Sequence, residues 1–362
     1  MSGRIYNFSA GPAVLPESVL KEVQQDLMNW KGCGMSVMEM SHRGKEYDSI
    51  IKNAEATLVR LLNVPDTHKV LFLQGGATLQ FAMSIMNLMT DEDECDYIVA
   101  GNWGLKAYEE AVKIGKKANL VCSSEADGFT YIPEPKLTNA KFLHYTSNNT
   151  IFGTCYNELP EFKNKIVICD MSSDFLSRPV DVSKFGLIYA GAQKNAGPAG
   201  VTIVIVKKDL CGLPHTSKLP TIMKYSTHIK KDSMHNTPPA FAIYVCGLVF
   251  NWVEKEIGGL DKMYTFVKKK AKMIYDAIDN SDGFYKSPVT NVSQRSMMNI
   301  PFVLSSKELD AKFIEEAAKK GMKSLKGYRS VGGIRASVYN SHPVEGVKAL
   351  VDFMAEFKKN NS

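Results

Sequence analysis

The apolar run GLIYAG ends at residue 191, and the chain continues AQKNAGPAG, which sets one lysine, Lys194, among glycine, alanine and proline. A solvated surface lysine needs no such surroundings. Limited solvation pushes an amine toward its neutral, nucleophilic form, so the setting itself suggests chemistry. Earlier in the chain, KIVICD finishes on Asp170, a carboxylate at the tip of an otherwise apolar run. Burial there is costly unless a cation or hydrogen bonds offset it. KVLFLQ leads into Gly75, Gly76, Ala77 and Thr78, followed by a helical pattern. Small residues at a helix start let backbone N–H groups approach an anion such as phosphate. DYIVAG is followed by Trp103, and KFLHYTSN leads to Thr150. Taken one at a time, these residues also have ordinary readings: a tight turn, core packing for the indole, a helix cap or loop contact for the carboxylate.

Taken together they form a set: an anion cradle, an aromatic ring, a buried carboxylate, a hydroxyl and a sheltered amine. Pyridoxal phosphate needs those five: a phosphate cup, a ring partner, an anion for its pyridine nitrogen, a hydrogen bond to its phenolic oxygen and an amine for a Schiff base. The turn at 75–78 is neither a dinucleotide fingerprint nor a P-loop, since GxGxxG and a Gly-Lys-Ser/Thr ending are both missing.

Positioning these residues falls to seven apolar runs between about 69 and 206: KVLFLQ, DYIVAG, NLVCSS, KFLHYTSN, KIVICD, GLIYAG and VTIVIV. Runs so apolar and rich in β-branched residues predict strands covered on both faces. Helical patterns between them, ATLQFAMSIMNLM and WGLKAYEEAVKIG, predict an α/β fold with a mostly parallel seven-stranded sheet flanked by helices. In such sheets, sites form beyond the carboxyl ends of the strands. A helix over 238–259 starts at proline and stops at Gly258-Gly259, and a second long helix follows from Leu260. Strand MMNIPFVL, helix ELDAKFIEEAAKKG, a strand in GGIRASVYN and a last helix PVEGVKALVDFMAEFKK then predict a smaller C-terminal α+β lobe. The expected division is a large cofactor-binding domain over 16–260 and a small domain over 261–362, with segment 1–15 packing near the latter.

Length and composition allow this: 362 residues suffice for two lobes, with 44% hydrophobic and 23% charged residues. No apolar run reaches the roughly 20 residues of a membrane span. The start of the chain has no secretory or transit pattern, so a soluble, cytoplasmic protein is expected. Seven cysteines without a CxxC pair signal neither a disulfide framework nor a zinc site, and no metal is expected. The +6 charge is spread along the chain and suits an anionic small substrate; no nucleic-acid partner is expected.

The stretches NFSAGPAVLP (7–16), EMSHRGKEY (39–47), LQGGAT (73–78), AGNWG (100–104), CDMSSDFLSRPVDVSKFGLIYAGAQKNAGPAGVTIVIV (169–206), HNTPPAFAIYVCGLVF (235–250) and RSVGGIRASVYN (329–340) carry a family likeness. Through them the sequence resembles the phosphoserine aminotransferases, class V, fold-type-I pyridoxal-phosphate-dependent enzymes, over essentially its whole length. The resemblance implies that Lys194 and Asp170 are catalytic. Lys194 would hold the cofactor as a Schiff base and move a proton, and Asp170 would pair with the pyridine nitrogen. Trp103 would stack on the ring and Thr150 would bond its phenolic oxygen. Ala77, Thr78 and Gln193 would hold the cofactor phosphate, joined by Asn236 and Thr237 from the other subunit of a homodimer whose active sites are completed across the interface. Arg335 would grip the substrate α-carboxylate, while His42, Arg43 and Arg329 would form the distal anion site. The implied reaction, part of L-serine biosynthesis, interconverts O-phosphoserine and 2-oxoglutarate with 3-phosphooxypyruvate and glutamate. One departure stands out: Tyr328-Arg329 replaces the His-Arg pair frequent in the family, which removes a possible cationic contact to phosphate. Two rivals stay open. One is another class V enzyme, alanine-glyoxylate aminotransferase-like or a cysteine desulfurase. The other is a non-catalytic phosphate-ligand-binding protein in which Lys194 caps a turn.

Overall fold

The computed structural model describes residues 3–329 and 331–361. A two-residue strand β1 (Tyr6–Asn7) opens the chain, and helices Glu17–Asp26 and Lys45–Leu62 lead to the sheet. The sheet contains β2 (His68–Leu73), β3 (Glu94–Val99), β4 (Lys117–Ser123), β5 (Phe142–Thr146), β6 (Ile166–Asp170), β7 (Leu187–Gly191) and β8 (Thr202–Lys207). Its spatial order is β2-β8-β7-β6-β5-β3-β4. These are the seven runs read from the sequence. β8 alone runs against its neighbours, β2 and β7, so the sheet is mostly parallel as expected.

Side chains alternate between two cores with the two-residue period of a strand. Phe72, Ile188, Ala190, Ile203 and Ile205 face one core, shared with helices Lys45–Leu62 and Ala240–Asn251. Leu73, Leu187, Tyr189, Val204 and Val206 face the other, under helices Gly76–Leu88 and Asn102–Lys113. Strand β4 departs from the expected double cover. It ends the sheet, and its Leu120 is 45% exposed.

The helix expected over 238–259 forms as Ala240–Asn251 and then widens into a π-helix, Trp252–Ile257. Gly258 stops it in a left-handed conformation, φ 86°, the usual demand on a residue just past a helix end. The next helix, Leu260–Asp279, joins two cores: Leu260, Met263 and Val267 pack in the first, and Ala271, Ile274 and Ile278 in another. That second body holds the antiparallel pair β9 (Asn299–Phe302) and β11 (Ile334–Ser337), with helices Lys307–Lys319 and Val344–Asn361. Phe313 is ringed there by Tyr285, Phe302, Phe353 and Phe357, with centroids 4.9–6.0 Å away in edge-on or tilted geometry. The short strand β10 (Met322–Lys323) pairs in parallel with β1, which seats Phe8 in the same core. Among the described residues no helix is long and apolar enough to cross a membrane, and no cluster of three or more His, Cys, Asp or Glu could hold a metal ion.

Candidate active site

Strands β2, β3, β5, β6 and β7 share one direction, so their carboxyl ends lie along one edge of the sheet. Leu73, Thr202 and Gly191 stand in one row across β2, β8 and β7. Thr146 and Asp170 stand opposite each other on β5 and β6. At Gly104, just past Trp103, a Cβ would lie 3.6 Å from Thr146 Oγ1, so the start of helix Asn102–Lys113 sits over that pair. The turn after each of these strands therefore faces a common space.

At one end of this edge, β2 turns into helix Gly76–Leu88 through Gly75 and Gly76, with φ 93° and 67°. A Cβ on Gly75 would meet Leu79 Cδ2 at 2.4 Å, so only glycine serves. The first N–H groups of this helix, including those of Ala77 and Thr78, have no acceptor within it and sit at its positive end. Thr78 is exposed, and Ala77 and Gln193 are half-buried. Trp103 is half-buried, and its buried indole Nε1 has no hydrogen-bond partner among the described residues.

Lys194 lies half-buried just beyond β7, and its Nζ donates to Thr150 Oγ1 at 2.7 Å. Burial brings the amine down to about 8; the charge of Asp170 opposes this and that of Arg335 reinforces it. Asp170 is itself buried, and desolvation raises its pKa against the opposing pull of Lys194 and Ser172. Its Oδ1 accepts from the Ser172 N–H at 2.9 Å, while Ser172 Oγ accepts from the Gly191 N–H at 3.0 Å, locking β6 to β7 beneath the site. From the other core, Arg335 on β11 donates through Nη1 to the Thr150 carbonyl at 3.4 Å. Its Nε is buried without a partner among the described residues, and desolvation lowers its pKa, with Tyr339 and Tyr328 acting the other way. Lys194, Thr150, Asp170 and Arg335 thus come together.

The small residues after β7 have a cause that the local pattern does not reveal. A Cβ on Gly197 would lie 2.4 Å from Cys246 Sγ, so that glycine admits helix Ala240–Asn251 rather than a ligand. The N-terminal segment instead crosses the lysine. The Ala13 N–H donates to the Gln193 carbonyl at 2.8 Å. Gly11, at φ 132°, would place a Cβ 3.2 Å from Lys194 Cγ. Gly11, Ala13 and Ser172 carry no periodicity or charge by which sequence reasoning could assign them to the site.

The remaining expected residues stand elsewhere in the chain. His42 and Arg43 line a cavity of about 610 Å³ with Lys231 and His235, and His42 Nε2 is buried without a partner among the described residues. Asn236 and Thr237 follow His235 and are exposed, with the Thr237 carbonyl accepting from Gln74 Nε2 at 3.0 Å. Arg329 is exposed on a turn closed by Gly327 N–H to the Gly333 carbonyl (2.9 Å) and Gly332 N–H to the Tyr328 carbonyl (2.8 Å). That turn lines a separate cavity of about 1040 Å³ with Leu304, Ile314 and Val331.

Pyridoxal 5′-phosphate fits the residues at the sheet edge. The buried carboxylate calls for a cationic partner, the indole N–H is unspent, the amine is held near neutrality, and a helix start offers N–H groups to a phosphate. In cofactor-free protein, an amine-directed acylating reagent is expected to label Lys194 with a midpoint near pH 8. Surface lysines should follow with midpoints at about 10.4. Peptide mapping of the label across pH checks this, and a Lys194 midpoint at the surface value would contradict the sheltered setting.

The sequence model of the family described as Aminotransferase class-V matches residues 5–350. The chain is 53% identical to a phosphoserine aminotransferase of Laribacter hongkongensis over 364 aligned positions, covering 99% of each. A solved phosphoserine aminotransferase from Bacillus circulans subsp. alkalophilus superposes with a TM-score of 0.96 at 47% identity, covering 100% of both chains. The structure of a PLP-bound phosphoserine aminotransferase from Trichomonas vaginalis gives 0.92 at 39%, covering 97% of this chain and 100% of that one. The strand-end residues, the sheet that gathers them and these likenesses agree: the chain belongs to the class-V aminotransferases.

Proposed function

We propose that this chain transfers the amino group reversibly between O-phospho-L-serine and 2-oxoglutarate, giving 3-phosphooxypyruvate and L-glutamate in L-serine biosynthesis, with pyridoxal 5′-phosphate as cofactor. The observation that carries this reading is the half-buried Lys194 amine, held by Thr150 and placed within the fields of Asp170 and Arg335. When bound, the cofactor supplies the electron sink that makes the substrate α-proton removable.

The protein's part follows from its side chains. Lys194 Nζ would hold the cofactor covalently and would move the proton of the substrate α-carbon, a task for which a pKa near 8 suits a base at neutral pH. Asp170 would keep a proton on the ring nitrogen, a role for which a buried carboxylate without solvent to satisfy it is suited. Trp103 would stack on the ring, Thr150 would bond the phenolic oxygen, and Ala77, Thr78 and Gln193 would hold the phosphate. Arg335 presents its guanidinium to the α-carboxylate, where a permanent charge and paired donors favour a carboxylate.

The distal anion site is built from Arg329 together with His42 and Arg43. The latter two line one cavity with His235, the residue before Asn236 and Thr237, which supports a homodimer in which one subunit lends Asn236 and Thr237 to the other's cofactor phosphate. Tyr328, within the electrostatic reach of Arg335, offers a hydroxyl that can donate one hydrogen bond to a distal anion. Residues 16–260 act as the cofactor lobe and 261–362 as the smaller lobe, with segment 1–15 on the latter; their separate apolar cores support this division. A cytoplasmic setting, where thiols stay reduced, suits the seven free cysteines.

The test is a half-reaction. Protein loaded with cofactor is mixed separately with O-phosphoserine, serine, alanine and glutamate while the visible absorbance is followed. Conversion is expected with O-phosphoserine and glutamate. Preference for alanine or serine would sink the assignment of substrate.

A further inference from the structure

Tyr339 has no role in the account above, yet its hydroxyl stands where the segments around Lys194 meet. It follows β11, four residues after Arg335, and is 1% exposed. The hydroxyl donates to the Ala10 carbonyl at 2.7 Å and accepts from Asn299 Nδ2 at 3.0 Å. A phenol has one proton to donate and lone pairs to accept with, so both partners are met. One of them leads directly to the lysine: Ala10 precedes Gly11, whose backbone walls the Lys194 stem.

The turn that carries Tyr339 is fixed from below. Lys270 is fully buried, and its Nζ donates to the carbonyls of Tyr339, Asn340 and His342 at 2.5, 3.1 and 3.0 Å. Three N–H groups meet three carbonyls, which satisfies an ammonium that burial alone would penalise. In the same turn the Asn340 N–H donates to Oδ1 of Asn195, the residue next to Lys194, at 2.9 Å.

We propose that Tyr339 is a positioning residue for Lys194: its hydroxyl sets the Ala10–Gly11 backbone against the lysine stem, and Lys270 sets the turn that carries Tyr339. This rests on the aminotransferase reading of the site. With the Tyr339–Ala10 bond in place, that backbone shields the lysine from water. Without the phenol oxygen the segment loosens, the amine gains solvent, and the charged form is favoured.

Tyr339→Phe tests this, since it keeps the ring and removes the hydroxyl alone. Relative to wild type, kcat is expected to fall about tenfold, the loss of one well-placed hydrogen bond, with KM for O-phosphoserine little changed. In cofactor-free protein, the Lys194 acylation midpoint should move up by about half a pH unit or more, a readout independent of turnover. Lys270→Gln, which leaves fewer donors for the turn, should shift the midpoint the same way by less, and decides the matter if the phenylalanine variant does not fold. An unchanged midpoint with unchanged kcat would overturn the proposal, as would a lower melting temperature alone. Failure of the functional reading looks different: wild-type protein would then not convert O-phosphoserine, while the labelling shift would still be measurable.

Discussion

Lys194→Ala is expected to leave less than about 10⁻⁴ of wild-type kcat, because the residue supplies both the covalent attachment and the base. General base catalysis alone contributes up to about 10⁴-fold, and among the described residues no second amine is hydrogen-bonded to Thr150 to take over. Borohydride should fix cofactor to wild-type protein and fail to fix it to the variant. The same substitution has a stability signature. The folded-state pKa of about 8 lies below that of an unfolded lysine, so between these values the unfolded chain binds the additional proton. Stability from this group therefore rises with pH from about 8 toward the unfolded value, and the cost of burying the charge is greatest below 8. Cofactor-free Lys194→Ala is expected to lose that slope and to melt no lower than wild type at pH 7, as a pH series of thermal melts would show. Wild-type turnover in the variant would remove Lys194 from the chemistry.

Asp170→Asn is the second large effect. Asparagine can still accept the Ser172 N–H through its side-chain oxygen, so the change isolates the charge from the geometry. Breaking a buried charge pair costs about 3–5 kcal/mol, which corresponds to a fall in kcat/KM of about 10²- to 10³-fold or somewhat more. Cofactor should also be lost more readily on dialysis. The lysine reports the same event: the Asp170 charge raises the Lys194 pKa, so in cofactor-free Asp170→Asn the acylation midpoint should fall below that of wild type. An unchanged midpoint together with wild-type kcat/KM would mean that the carboxylate and the amine do not serve one ligand.

The seven strands were legible because a sheet covered on both faces leaves continuous apolar runs, and polar residues at their ends are conspicuous against that background. Asp170, Lys194, Trp103 and Thr150 could therefore be named before any coordinates, and parallel topology places strand ends together without further information. Arg335, His42, Arg43 and Arg329 were legible only through family likeness, since an isolated arginine carries no local signal of what it faces. The antiparallel course of β8 was implicit in the short stretch between β7 and β8, too short for a crossover.

What only the tertiary structure decided is the set of contacts between segments distant in the chain. Gly197 is small because Cys246 of another helix approaches it, not because a ligand needs the room. Gly11 reaches Lys194 because β1 pairs with β10 and Tyr339 holds Ala10, and Lys270 belongs to that arrangement through three carbonyls. The physical reason is common to all of them. Periodicity and turn chemistry act over a few neighbouring residues, whereas close approach, desolvation and the pairing of buried polar groups depend on which surfaces the folded chain brings into contact.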